Sequence, residues 1–150
     1  MRVVLQRVKE AKVTVEGKVV GQIGKGLVLL VGAKTGDTER NVEFLADKCV
    51  NLRIFEDGSQ KMNLSALDVK GEVLVVSQFT LYGDTGKGRR PSFTEALEPQ
   101  LAEKLYLKFI EQIKTKGLKT ENGIFGAKML VDISRSEEHT SDSSHVRTSR

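Results

Sequence analysis

The sequence predicts an α+β fold: a mainly antiparallel, barrel-like β-sheet with two main helices packed on one face. Three observations lead there. The first third of the chain consists of short apolar segments separated by glycine-containing turns, the pattern of an antiparallel strand meander. Two later stretches, Val42 to Val50 and Leu101 to Ile113, switch to a helical period. A third group of strand-like segments returns after Leu118.

In chain order, Val3, Leu5 and Val8 mark a first strand, and Val13 and Val15 alternate in a second. Gly17-Lys18 supplies a turn, and Val19 to Ile23 reads as a third strand. After a second turn at Gly24-Lys25-Gly26, Leu27 to Val31 is an unbroken apolar run. Such a run belongs to a strand covered on both faces.

Asp37 or Thr38 is placed to cap the first helix. Its residues Val42, Leu45, Ala46, Cys49 and Val50 form one apolar stripe. Cys49 lies on that stripe and reads as a core residue rather than a nucleophile. Arg53 to Phe55 suggests a short strand ended by the Asp57-Gly58 turn, and Glu72 to Phe79 is the second strong strand. A glycine-rich loop, Gly83 to Pro91, follows. The second helix begins near Pro99, repeats Leu101, Leu105, Phe109 and Ile113, and stops at Gly117.

Residues 1–133 therefore form one domain, and residues 134–150 do not continue its pattern. The tail holds six serines and a single aliphatic side chain, Val146. It cannot bury enough apolar surface to offset the entropy of ordering. Its Arg135-to-Ser141 segment also resembles translated sequencing adapter, so the tail is expected to be unordered or foreign to the gene.

Composition narrows the chemistry. The single cysteine, Cys49, excludes an internal disulfide framework and suits a reducing cytoplasm. The start, Met1 to Arg7, is charged too early for a signal peptide, and no apolar run suggests a membrane span. The net charge of +4 permits an acidic partner without demanding one. Both histidines, His139 and His145, lie in the tail. A Ser-His-Asp triad, a Cys-His pair and a histidine-ligated metal are thus excluded from residues 1–133. An enzyme built on this domain would rely on oriented amides, hydroxyls and groups of its own substrate.

Two stretches could do so. Ser77 to Thr85 follows a buried strand and turns abruptly polar. Its hydroxyls and amides either cap a strand end or line a cleft. The loop Gly83 to Arg90 combines glycine amides with Lys87, Arg89 and Arg90. It either cradles phosphate or is a solvated loop; its spacing is not that of a P-loop.

Several motifs together resemble the D-aminoacyl-tRNA deacylase family. They are Gln6-Arg7-Val8, Arg53-Ile54-Phe55, Lys61-Met62-Asn63-Leu64, Ser77-Gln78-Phe79-Thr80-Leu81-Tyr82-Gly83-Asp84, Arg90-Pro91-Ser92-Phe93 and Gly123-Ile124-Phe125-Gly126-Ala127-Lys128-Met129. They occur in order from Met1 to about Ile133. The resemblance implies a cytoplasmic homodimer that hydrolyses the ester between tRNA and a D-amino acid, or glycine mischarged on tRNA, as proofreading in translation. It implies that Ser77 and Gln78 line the substrate pocket. The Phe79 amide and Thr80 would position the ester and stabilise its oxyanion, and Phe125 and Met129 would form the far wall. It implies no metal or organic cofactor, and a tRNA 2′-hydroxyl in place of a protein base. Lys87, Arg89 and Arg90 are then the expected RNA contacts.

One departure stands out. The family carries a Gly-Pro dipeptide with a cis bond in its last strand, reaching the partner's pocket to reject L-amino acids. The matching positions here are Glu137 and Glu138, and the chain contains no Gly-Pro. A cis bond before a residue other than proline costs ~2.5–4 kcal/mol. The chain is accordingly expected to be impaired in activity or in chiral selection. The alternatives are a non-catalytic tRNA-binding module and an inactive truncated family member.

Overall fold

The computed structural model describes residues 1–78, 81 and 96–135, together with the backbone of residues 143–147. The chain begins with the four expected strands: β1 (Arg2–Val8), β2 (Glu10–Val15), β3 (Lys18–Ile23) and β4 (Gly26–Gly32). The β2–β3 connection is two residues, Glu16 and Gly17, both at positive φ. That is the backbone twist that suits a tight hairpin.

Helix α1 (Glu39–Asn51) follows, then β5 (Phe55–Glu56), β6 (Met62–Leu64), α2 (Ala66–Val69) and β7 (Glu72–Ser77). Helix α3 (Pro99–Thr115), β8 (Thr120–Asn122), β9 (Leu130–Ser134) and β10 (Ser143–Arg147) complete the described elements.

The strands form three sheets, and no closed barrel appears among the described residues. The largest has the order β10-β1-β4-β7-β8, the second β3-β2-β9, and β5 pairs with β6. Pairing is mainly antiparallel, with two exceptions: β4–β7 runs parallel from Gly26↔Glu72 to Val31↔Ser77, and β7–β8 is parallel as well. A parallel neighbour needs a long crossover, and α1 lies within the β4–β7 connection.

The central strands of the five-stranded sheet, β4 and β7, are apolar on both faces. Val3, Leu5, Leu27, Leu29, Val73 and Val75 pack with Leu45, Cys49, Phe109 and Ile113 of the helices. Alternate residues Val28, Leu74 and Val76 pack instead with Ala11, Val13 and Ile23 of the second sheet. Period-two alternation thus feeds two cores from one strand. This is the reason Leu27 to Val31 shows no polar residue.

The helix stripes fall where the periodicity puts them. Val42, Leu45, Ala46, Cys49 and Val50 are buried, as are Leu105, Phe109 and Ile113, whereas Leu101 is half exposed. Full burial of a side chain such as Phe109 contributes ~1.5–3 kcal/mol. Burial pushes the Cys49 thiol up to about 12, so it is a core group and no nucleophile.

Thr38 is the N-cap of α1, and its amide donates to Asn41 Oδ1 at 2.9 Å. Asp37 instead anchors the start of the chain. Its carboxylate accepts from the Lys34 amide and from the Met1 α-amino group, each at 2.7 Å. Pro99 occupies the first turn of α3, and Gly117 follows that helix at φ +90°.

Three expectations need correction. The first four strands are nested rather than a meander: β2 pairs with β3, and β1 pairs with β4 around them. Turn signals mark where a strand ends but not which neighbour it takes. The described residues hold three helices where two main ones were expected, because Ser65 caps the single-turn α2 by accepting from the Asp68 amide. The strand expected at Arg53 to Phe55 lies at Phe55–Glu56. Residue 134 ends β9, and the backbone of β10 pairs antiparallel with β1 from Gln6↔Ser143 to Arg2↔Arg147. The physical reason is that the outer edge of β1 presents amides and carbonyls in need of partners, and a ladder made by backbone groups tolerates a poor sequence.

Candidate active site

Because β4 and β7 are parallel, their C-terminal ends meet at one edge of the sheet. There the chain opens a cavity of about 820 Å³. Its floor is Leu30 to Ala33 from the end of β4 and Val76 to Gln78 from the end of β7. One wall comes from the segment before α3 and its first turns, including Leu97, Ala102 and Tyr106. The other comes from Phe125 to Met129 and from Val131 and Ile133 of β9.

The structure therefore brings Ser77, Gln78, Phe125 and Met129 to one cavity. All four are half-buried. The Gln78 amide donates to Val31 O at 2.9 Å, which carries the β4–β7 ladder to the cavity's edge. Beyond it, Arg2 Nη1 donates to the Leu81 carbonyl, tying the chain after Gln78 back to β1. Phe79, Thr80, Lys87, Arg89, Arg90, Glu137 and Glu138 lie outside the described residues.

The far wall is packed tightly against the strands. The Gly123 amide donates to Val75 O at 3.1 Å. A Cβ added at Gly123 would lie 3.5 Å from Met129 Cε and well inside contact distance of its sulfur. The buried Tyr106 hydroxyl lies 3.0 Å from Val75 O and 3.3 Å from Gly123 O, and its ring centroid lies 5.7 Å from that of Phe125. Burial pushes the Tyr106 hydroxyl up to about 12, against the lowering effect of Asn122 and Gly123, so it remains a donor at neutral pH.

The lining is mainly apolar with a few polar groups at one end, the composition of a site that takes a small organic group. Lys128, exposed, is the charged side chain among the lining residues. Among the described residues no group of three or more His, Cys, Asp or Glu is disposed to hold a metal. No described helix is long and apolar enough to cross a membrane.

Sequence reasoning missed Met1, the end of β4, and the N-terminal part of α3 as parts of the cavity. Only the tertiary fold brings Met1 and Tyr106 beside Ser77.

Comparison with known proteins fits this architecture. The sequence model for D-Tyr-tRNA(Tyr) deacylase matches residues 4–136. The D-aminoacyl-tRNA deacylase of Halothermothrix orenii is 59% identical over 133 residues, covering 89% of each chain. That of Aquifex aeolicus is also 59% identical over 133 residues, covering 89% of this chain and 90% of its own. Among solved structures, a c-Myc DNA unwinding element binding protein superposes with a TM-score of 0.90 at 36% identity, covering 100% of both chains. A probable eukaryotic D-amino acid tRNA deacylase gives a TM-score of 0.78 at 17% identity over 89% of this chain and 93% of its own, a likeness of fold. By the match over residues 4–136 and these identities, the chain belongs to the D-Tyr-tRNA(Tyr) deacylase family, whose relatives here carry the name D-aminoacyl-tRNA deacylase.

Proposed function

We propose that this chain hydrolyses the ester bond of D-aminoacyl-tRNA, and of glycine mischarged on tRNA, releasing free amino acid and tRNA. The observation that carries the reading is the convergence of Ser77, Gln78, Phe125 and Met129, from distant parts of the chain, on one mainly apolar cavity. The amino acid's side chain packs against Phe125 and Met129, while Ser77 and Gln78 hold its polar end. The Phe79 amide and Thr80, next along the chain, position the ester and stabilise the developing oxyanion. A preorganised donor of this kind contributes ~10²–10³ in rate. The terminal 2′-hydroxyl of the RNA supplies the general base, in keeping with the absence of histidine from residues 1–133.

Lys87, Arg89 and Arg90 contact tRNA phosphates in this reading. The working unit is residues 1–133, with its two larger sheets curled into a barrel-like form. Two copies assemble as a homodimer in the cytoplasm. Residues 134–150 stand in place of the segment that filters L-amino acids, so activity or chiral selection is expected to suffer in the chain as it stands.

Single-turnover hydrolysis of D-tyrosyl-tRNA tests the reading. A version carrying a family-type Gly-Pro strand in place of residues 134–150 should accelerate release of D-tyrosine over the spontaneous rate, and Thr80→Ala in it should remove most of that acceleration while leaving the melting transition in place. No acceleration by that version, or an unchanged rate in its Thr80→Ala variant, would reject the assignment.

A further inference from the structure

We propose that Tyr106 is a positioning residue that sets the distance between β7 and the far wall of the cavity, and through it the fit of bulky aminoacyl groups. The proposal rests on reading the cavity as the aminoacyl site.

Tyr106 reaches the cavity from α3, with its ring against Phe125 and its hydroxyl between two backbone carbonyls. One carbonyl, Val75 O, belongs to β7, two residues before Ser77. The other, Gly123 O, begins the segment that carries Phe125 and Met129. Neither carbonyl depends on the hydroxyl for a partner. Val75 O also accepts from the Gly123 amide at 3.1 Å, and Gly123 O accepts from Asn122 Nδ2 at 2.9 Å. The hydroxyl is therefore not rescuing a stranded acceptor, the role that would make its loss severely destabilising. It bridges two elements whose separation defines the cavity.

The two elements are unequally anchored. β7 is held between β4 and β8 in a ladder on each side. The segment from Gly123 to Met129 is tied to β7 at its start by the Gly123 amide, and beyond that it is held by a turn, with the Ala127 amide donating to Ile124 O at 3.2 Å, and by the Met129 side chain packing back on Gly123. Without the hydroxyl the wall moves and the floor stays. A bulky aminoacyl group that touches the wall should sense this; a glycyl group should not.

Tyr106→Phe keeps the ring and removes only the oxygen. The chain has three methionines, Met1, Met62 and Met129, so selective ¹³C-methyl labelling reports on the wall directly. The Met129 signal, assigned with Met129→Leu, should shift in Tyr106→Phe while that of Met62, distant on β6, stays in place. Binding of amide-linked, non-hydrolysable D-tyrosyl-adenosine should weaken roughly 3- to 10-fold, the worth of one hydrogen bond. The glycyl analogue should change by less than about twofold. In a Phe125→Ala background, where the wall side chain is gone, the Tyr106 change should add no more than about twofold, as coupled sites do. An unmoved Met129 signal, equal weakening of both analogues, or full additivity with Phe125→Ala would overturn the proposal. If the parent binds neither analogue, the functional reading fails, while the Met129 signal still decides whether Tyr106 sets the wall.

Discussion

Gly26→Ala should be among the most damaging small substitutions in this fold, although it adds one methyl group. Gly26 opens β4 directly opposite Glu72 in the parallel pair, so its α-carbon faces the partner's backbone. A Cβ there would stand 2.6 Å from Glu72 N and 2.7 Å from Glu72 C, and closer still to the carbonyl oxygen. None of these atoms belongs to a side chain that can swing away. The start of β7 must back off, and the Glu72 amide loses its 3.0 Å bond to Lys25 O. Overpacking of this kind costs ~1–3 kcal/mol and the lost ladder bond ~1 kcal/mol, giving about 2–4 kcal/mol in all. Against a total of ~5–15 kcal/mol for a domain, that is a large share. Urea titration should show a lower midpoint with an unchanged slope, and the melting temperature should fall by roughly 4–16 °C. Gly58→Ala is the control: a Cβ there meets nothing within 4 Å, and stability should change by no more than about 0.5 kcal/mol. A loss below about 1 kcal/mol for Gly26→Ala would refute the claim that rigid backbone contact sets the cost.

Cys49 should resist thiol reagents in the folded protein at pH 8 and react fully in urea; rapid labelling of the folded chain would contradict its core assignment. Its folded thiol is pushed from 9.0 to about 12, so the stability linked to it is fully present below pH 9 and is lost as pH rises from about 9 to 12. Urea titrations across that range should show the fall, and a flat profile would contradict it. Replacing Lys87, Arg89 and Arg90 together by alanine should weaken tRNA binding and flatten its salt dependence, and identical salt slopes for mutant and parent would remove these residues from the RNA contact. Exchanging residues 134–150 for a Gly-Pro-bearing strand of the family type should raise the ratio of D- to L-tyrosyl-tRNA hydrolysis. Efficient, D-selective hydrolysis by the chain as it stands would show that Glu137 and Glu138 serve the pocket themselves.

The local pattern of this sequence is informative wherever one element decides its own structure. Apolar spacing locates α1, α3 and the first four strands, and the helix-starting preferences of Thr38 and Pro99 mark two boundaries within a residue. Cys49 can be assigned to the core from its place on the stripe alone. What stays hidden depends on partners far along the chain. Nothing in Leu27 to Val31 says that its neighbour is Val73 to Ser77, or that the two run parallel. Part of the cavity is legible through Ser77, Gln78, Phe125 and Met129, which lie on motifs that resemble the family. Tyr106 is not, because an aromatic residue among helical apolar residues looks like any other core position until its hydroxyl is seen between two carbonyls. The strand in the tail is hidden for a related reason. Its side chains argue against order, but the pairing of β10 with β1 is a matter of backbone.

The parallel pairing of β4 and β7 also bears on the order of events as the chain folds. The first four strands form two nested antiparallel pairs, β2 with β3 and β1 with β4, and can close once Gly32 exists. β7 cannot join until the whole stretch from Gly26 to Glu72, with α1 inside it, has been gathered in. Closing so long a loop is entropically costly, and such contacts are the slow ones. Ser77 and Gln78 ride on the end of β7, so the cavity they line is assembled late, on a scaffold already half built. Until then the inner edge of β4 stands unpaired, and that interval is when a nascent or refolding chain is most open to capture by another strand.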